Sequence, residues 1–195
     1  MRTHELVTSS LDVLPLQREV LDNIYSFDEY NQRRTFTNSP HVGMTDIWAR
    51  YNDVTPFLAA GSLDGFDKEH DSVWYPIADK LPSIKKVLFN LMYAVDGERL
   101  GGVLITKVPP GGKILKHTDS GWHATYYDKF YVPLLNEKGA VFCFEDGIID
   151  PEYGQAWWFD NSNPHWVENT SAIDRIAMIV CIRTEKYKEK NAHRI

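Results

Sequence analysis

Apolar residues recur at spacings of three and four in two early stretches. One covers residues 11–24; the other covers residues 82–95, where Leu81, Ile84, Val87, Leu88, Leu91 and Met92 form one stripe. That period matches the turn of an α-helix and predicts two helices, each with one face against a core. Pro82 falls at the first position of the second helix, where a missing N–H costs nothing. Between the helices, Pro40, Gly43, Pro56, Gly61, Gly65 and Pro76 punctuate residues 38–75. Loops and short elements are expected there.

From Gly101 onward the apolar runs shorten. They fall at residues 103–108, 114–116, 130–135, 140–144, 156–159, 166–167 and 176–182, separated by turn-forming segments at 109–112, 136–139 and 160–164. Many short strands at roughly ten-residue spacing predict a mainly β fold, a sandwich or jelly roll, with the N-terminal α-helices flanking one sheet. A length of 195 residues favours one domain, residues 1–195. Within it, residues 1–99 form a helical and loop part packing on the sheet, 100–184 the β core, and 185–195 a polar tail.

Composition narrows the function classes. With 43% hydrophobic and 25% charged residues the chain is neither disordered nor fibrous. Its net charge is -6, and no basic run exceeds two residues (Arg33-Arg34, Lys85-Lys86). A phosphate-backbone footprint is therefore missing, and no nucleic-acid partner is expected. Residues 1–5 are polar and charged, without the apolar stretch of a signal peptide. The longest apolar run, 176–182, is far shorter than the ~20 residues that span a bilayer. No membrane association and a cytoplasmic location are expected. Cys143 and Cys181 both lie inside apolar runs and read as free core thiols.

The chemistry-bearing residues are few. His117 and Asp119 are two positions apart, so on an extended chain they point to the same side. His165 follows a turn and opens another short run. Two histidines and one carboxylate form the facial set that leaves three coordination positions open in non-haem Fe(II) oxygenases; zinc stays open on ligand types alone. Arg175 begins the apolar run 176–182 and so aims inward. A buried guanidinium needs an anion, and its planar fork suits the distal carboxylate of 2-oxoglutarate.

These elements fall in the order 106–112 (Thr-Lys-Val-Pro-Pro-Gly-Gly), His117-Thr118-Asp119, 129–134 (Lys-Phe-Tyr-Val-Pro-Leu), 154–160, and His165-x-Val167-x-Asn169 with Arg175. In that order and spacing, residues 100–184 resemble the aspartyl/asparaginyl β-hydroxylase family of Fe(II)/2-oxoglutarate oxygenases. The resemblance implies a cupin-like double-stranded β-helix as the catalytic core. It implies that His117, Asp119 and His165 bind Fe(II), and that Arg175 and Thr106 hold the cosubstrate. Lys129 and Tyr131 stand where the family commonly shows an Arg-x-His pair, and are the expected further cosubstrate contacts. The implied reaction uses O2 to hydroxylate an unactivated C–H of a peptidyl or free amino acid, with succinate and CO2 as co-products.

Loops on a rigid scaffold usually carry specificity, so Trp122, His123, Tyr126 and Tyr127 are expected to touch substrate. Arg50, Arg183 and Lys129 are candidate partners for a substrate carboxylate. Phe142, Trp157, Trp158 and Phe159 are expected to wall the cavity, and His41, His70 and His193 receive no role. Two other readings stand beside the hydroxylase. One is a non-catalytic cupin-like metal-binding or sensing module, motivated by the missing Arg-x-His pair; the other is a zinc-dependent hydrolase.

Overall fold

A computed structural model describes residues 2–31 and 40–185. The tail expected at 185–195 therefore lies, apart from residue 185, outside the described residues, as does His193. The two longest strands, β4 (Gly97–Val108) and β11 (Arg175–Thr184), pair antiparallel at the centre of the larger sheet. Around them are β1 (His4–Thr8), β2 (Thr45–Tyr51), β3 (Val73–Trp74), β6 (Asp128–Leu135) and β9 (Ala156–Phe159), in the order β1-β9-β6-β11-β4-β2-β3. A four-stranded sheet faces this one, with β5 (Lys113–His117), β7 (Ala140–Phe144), β8 (Gly147–Ile149) and β10 (His165–Asn169) in the order β5-β10-β7-β8. Two facing antiparallel sheets with these crossovers make the double-stranded β-helix.

Alternation along the strands divides the apolar residues into two cores. On β11, Ile176, Met178, Val180 and Ile182 face outward from the sheet pair, together with Phe130, Val132 and Leu134 of β6. That layer packs against α1 (Leu14–Asp22) through Leu16 and Val20, and against α3 (Ile84–Ala94) through Ile84, Val87, Leu88 and Leu91. A short helix, α2 (Thr55–Ala60), lies in the connection after β2. The opposite faces of the same strands, carrying Ala177 and Tyr131, meet Phe142, Phe144 and Val167 between the sheets. Position parity thus sends Lys129, Tyr131 and Arg175 toward the space between the sheets.

The helices differ from their expected spans in an instructive way. The first starts at Leu14 because Pro15 fits only its first turn. The second starts at Ile84, so Pro82 lies before it rather than at its first helical position. The free N-terminal donors there are met by Glu19 of α1, which accepts from the Ser83 N–H at 3.0 Å and from its Oγ at 2.6 Å.

The first hundred residues are not only helix and loop. They supply β1, β2 and β3 to the larger sheet. β2 escapes a pattern reading because it is buried on both faces, from Asp46 to Ala49, and shows no alternation. β1 closes the outer edge of β9, with His4 in register with Phe159. His4 also stacks on Phe144 of the facing sheet, ring centroids 4.7 Å apart. Cys143 and Cys181 are free and buried, as expected. Among the described residues no helix is long and apolar enough to cross a membrane.

Candidate metal centre

His117 and His165 are direct cross-strand partners of β5 and β10. The ladder between them is irregular: His165 pairs with His117, and Val167 pairs with Ile114. Leu115 and Lys116 therefore stand opposite Trp166 alone, which is a β-bulge. Without it, residues three apart would face opposite ways; with it, Ile114 and His117 both turn inward. The two imidazoles come to lie 4.4 Å apart between ring centroids.

Backbone carbonyls orient both rings, one from the bulge and one from the turn before β10. His117 Nδ1 donates to the Leu115 carbonyl at 2.7 Å, and His165 Nδ1 donates to the Asn163 carbonyl at 2.8 Å. A carbonyl only accepts, so each Nδ1 carries the hydrogen and each Nε2 keeps a bare lone pair. Asp119 lies past the end of β5, where its N–H donates to the Asn161 carbonyl at 2.8 Å. Its carboxylate oxygens stand 3.7 Å from His117 Nε2 and 3.9 Å from His165 Nε2. One cation with bonds of about 2.1 Å can bridge donors at that spacing.

Electrostatics support the same assignment. Burial works against the charge of Asp119, but Lys129, His165 and His117 outweigh it and hold the carboxyl well below the usual carboxylate range. Burial lowers His165 to about 4, against the opposing pull of Asp119. Phe142 and Phe159 supply that apolar surround, with ring centroids 5.8 Å and 5.5 Å from the imidazole. A neutral His165 and an ionised Asp119 are donor forms that suit a divalent metal.

His117, Asp119 and His165 open onto a cavity of about 290 Å³ that Thr106, Phe142, Phe159 and Arg175 also line. Arg175 is 1% exposed, and its Nε has no hydrogen-bond partner among the described residues. Its guanidinium lies 5.0 Å from the centroid of the Tyr131 ring. Burial raises the Tyr131 phenol, and Arg175 pulls the other way, although the two make no hydrogen bond of regular geometry. A buried cation with an unmet donor at the cavity wall suits an anionic ligand. Thr106 sits in the same wall, its Oγ1 donating to the Ala177 carbonyl at 3.2 Å.

Other sequence-based expectations are redistributed. Lys129 lines the cavity and is engaged with Asp119, Nζ to Oδ2 at 2.6 Å. Tyr131 packs beneath Arg175 and does not line the cavity. Trp122, His123 and Tyr127 do not line it either. They belong to α4 (Trp122–Tyr126) and its end, where His123 packs on Tyr51 and His70. Tyr127 fills the space above Gly101, where a Cβ would come within 2.8 Å of its ring. Arg50 donates to the Leu100 carbonyl and Arg183 to the Tyr126 carbonyl, so both serve the scaffold. Trp158 faces the helical side, because alternation turns it away from Phe159. His41, given no role by the sequence, borders the site: one nitrogen each of His41 and His117 and one Asp119 oxygen lie within 4.8 Å of one another, a set that does not include His165.

The aspartyl/asparaginyl beta-hydroxylase profile matches residues 66–184, a span that includes His117, Asp119 and His165. The chain belongs to the aspartyl/asparaginyl beta-hydroxylase family. It is accordingly a 2-oxoglutarate/Fe(II)-dependent oxygenase by class. No curated protein sequence gives a significant match. Among solved structures, a prolyl hydroxylase from Trichoplax adhaerens, in complex with a hypoxia inducible factor oxygen degradation domain peptide fragment, aligns at TM-score 0.60. Identity there is 14%, over 96% of this chain and 86% of that one. A 2OG-Fe(II) oxygenase family oxidoreductase from Burkholderia pseudomallei aligns at 0.51, with 12% identity over 88% and 89%. A prolyl-4-hydroxylase from Pseudomonas putida aligns at 0.50, with 13% identity over 95% and 94%. At such identities these three establish a shared fold.

Proposed function

We propose that the protein hydroxylates an unactivated C–H of an amino-acid residue, in a peptide before a free amino acid, with succinate and CO2 as co-products. The observation that carries this reading is Arg175, a buried guanidinium with an unmet Nε in the cavity that also holds His117, Asp119 and His165. A hydrolase would leave that cation without a task. The choice of a peptide draws support from the peptide bound to the similarly folded Trichoplax adhaerens enzyme.

His117, Asp119 and His165 would hold Fe(II), which when bound with 2-oxoglutarate supplies the oxidising chemistry. Arg175 would receive the distal carboxylate of the cosubstrate through its fork, with Thr106 beside it. Lys129 holds Asp119 ionised and oriented through Oδ2, the oxygen that also faces His165 Nε2. Phe142 and Phe159 keep water from the imidazole face. Anaerobic addition of Fe(II) and 2-oxoglutarate tests the reading through the visible charge-transfer absorption of their chelate. Substrate-stimulated succinate formation, screened over peptides and then amino acids, identifies the substrate. Iron binding without the absorption and without turnover would instead support the sensing module.

A further inference from the structure

We propose that His41 is a fourth protein ligand to the metal in the cosubstrate-free protein, an inference that rests on the metal-site reading above. A nitrogen of His41 shares one 4.8 Å neighbourhood with a nitrogen of His117 and an oxygen of Asp119. Its ring meets that of His117 edge-on, centroids 4.7 Å apart at 87°.

The placement is built into the backbone. β5 is an edge strand of the four-stranded sheet, and the turn at residues 40–44 covers its outer side. The Pro40 carbonyl accepts from the Leu115 N–H at 3.1 Å, and the Met44 N–H donates back to the His41 carbonyl at 3.2 Å. Gly43 presses so closely on β5 that a Cβ would lie 2.1 Å from the Lys113 carbonyl oxygen. Met44 anchors the turn in the core between the sheets. Leu115, whose carbonyl aims His117, is thus the residue that ties down the His41 turn. One stretch of β5 orients both rings.

The chemical consequence concerns vacancy. Three facial ligands would leave three positions; His41 would take one and leave two. A chelating cosubstrate could fill those two, and a further ligand would need the His41 nitrogen to withdraw. The ring would therefore help to retain the resting metal.

Co(II) titration without 2-oxoglutarate tests this, comparing wild type with His41→Phe, which retains the ring contact and removes the nitrogens. The variant should bind Co(II) about tenfold or more weakly, by analogy with the loss of groups supporting a metal site. In the Cu(II)-loaded protein, electron spin echo modulation should count one more coupled imidazole in wild type than in His41→Phe. A wild-type count of two imidazoles overturns the proposal even where the variant fails to fold. Equal Co(II) affinities in wild type and His41→Phe, with His117→Ala impaired, sink the His41 ligand and spare the metal site. Equal affinities in wild type and His117→Ala sink both.

Discussion

Lys129 Nζ donates to Asp119 Oδ2 at 2.6 Å, with both side chains mostly buried. Each stabilises the charge of the other: burial would lower Lys129, but Asp119 raises it, and burial would raise Asp119, but Lys129 lowers it. In the metal-free protein the lysine is the carboxylate's chief counter-ion. Breaking a buried pair costs about 3–5 kcal/mol, so Lys129→Met should destabilise chelator-treated protein by that order. A bound cation takes over the lysine's role. Mn(II) should therefore raise the Tm of the variant by more than it raises that of wild type; equal increments would show that the two cations do not share Asp119.

Arg175→Met should leave Mn(II) affinity unchanged and weaken 2-oxoglutarate. Loss of a buried charge partner costs roughly 2–5 kcal/mol, which is about thirtyfold or more in affinity. Arg175→Lys should fall between, since an ammonium cannot reproduce the planar fork. Anaerobic calorimetry on Mn(II)-loaded protein separates the two ligands. An unchanged cosubstrate affinity in Arg175→Met would remove Arg175 from that role.

His165 is lowered by burial to about 4 in the folded chain. Its contribution to stability is complete above the ordinary histidine value and is lost as pH falls toward the folded value, because the unfolded chain takes up the proton first. Asp119, also held low, adds a loss of the same sign further into acid. Between about pH 7.5 and pH 5 the metal-free protein should lose about 2 kcal/mol through His165. Urea midpoints of chelator-treated wild type and His165→Gln measure it. The variant's pH dependence should be flatter by that amount, and parallel curves would contradict the assignment.

Asn169 closes the turn that delivers Arg175. Its Nδ2 donates to the carbonyls of Val108 and Ile173, both at 2.9 Å, and its Oδ1 accepts from the Ser171 N–H and Oγ. Val108 is the register partner of Arg175. Asn169→Ala leaves buried backbone groups unmet and should cost on the order of 2–4 kcal/mol. It should also weaken 2-oxoglutarate more than Mn(II), since Asn169 closes the end of β10 remote from His165. Calorimetry beside a urea curve checks both halves of this expectation.

The β core was legible because alternation survives where one face of a strand is apolar and the other meets different surroundings. The strands at 140–144 and 156–159 occur where the pattern put them. β2 was hidden by burial on both faces, and β1 by its brevity and exposure. At the candidate site, residue type and spacing pointed to His117, Asp119, His165 and Arg175, which line one cavity. The bulge opposite Trp166 left no mark on the sequence, yet it decides where His117 points. His41 lay far from the other ligands, and only its glycine neighbour, Gly43, hinted at a close backbone approach. The bond from Lys129 to Asp119 joins a strand to a loop that no local pattern connects.

Strand β1 has a kinetic consequence. Residues 4–8 wait for residues 156–159 before they can dock, and pairings so distant along the chain form slowly. Until then the outer edge of β9, Ala156-Trp157-Trp158-Phe159, is an open template of unpaired amides flanked by aromatic rings. Other chains can add to that edge in the meantime. The yield of native protein is set by a race between a five-residue clasp arriving from its own chain and a strand arriving from a neighbour, so dilution and lower temperature during refolding favour the clasp.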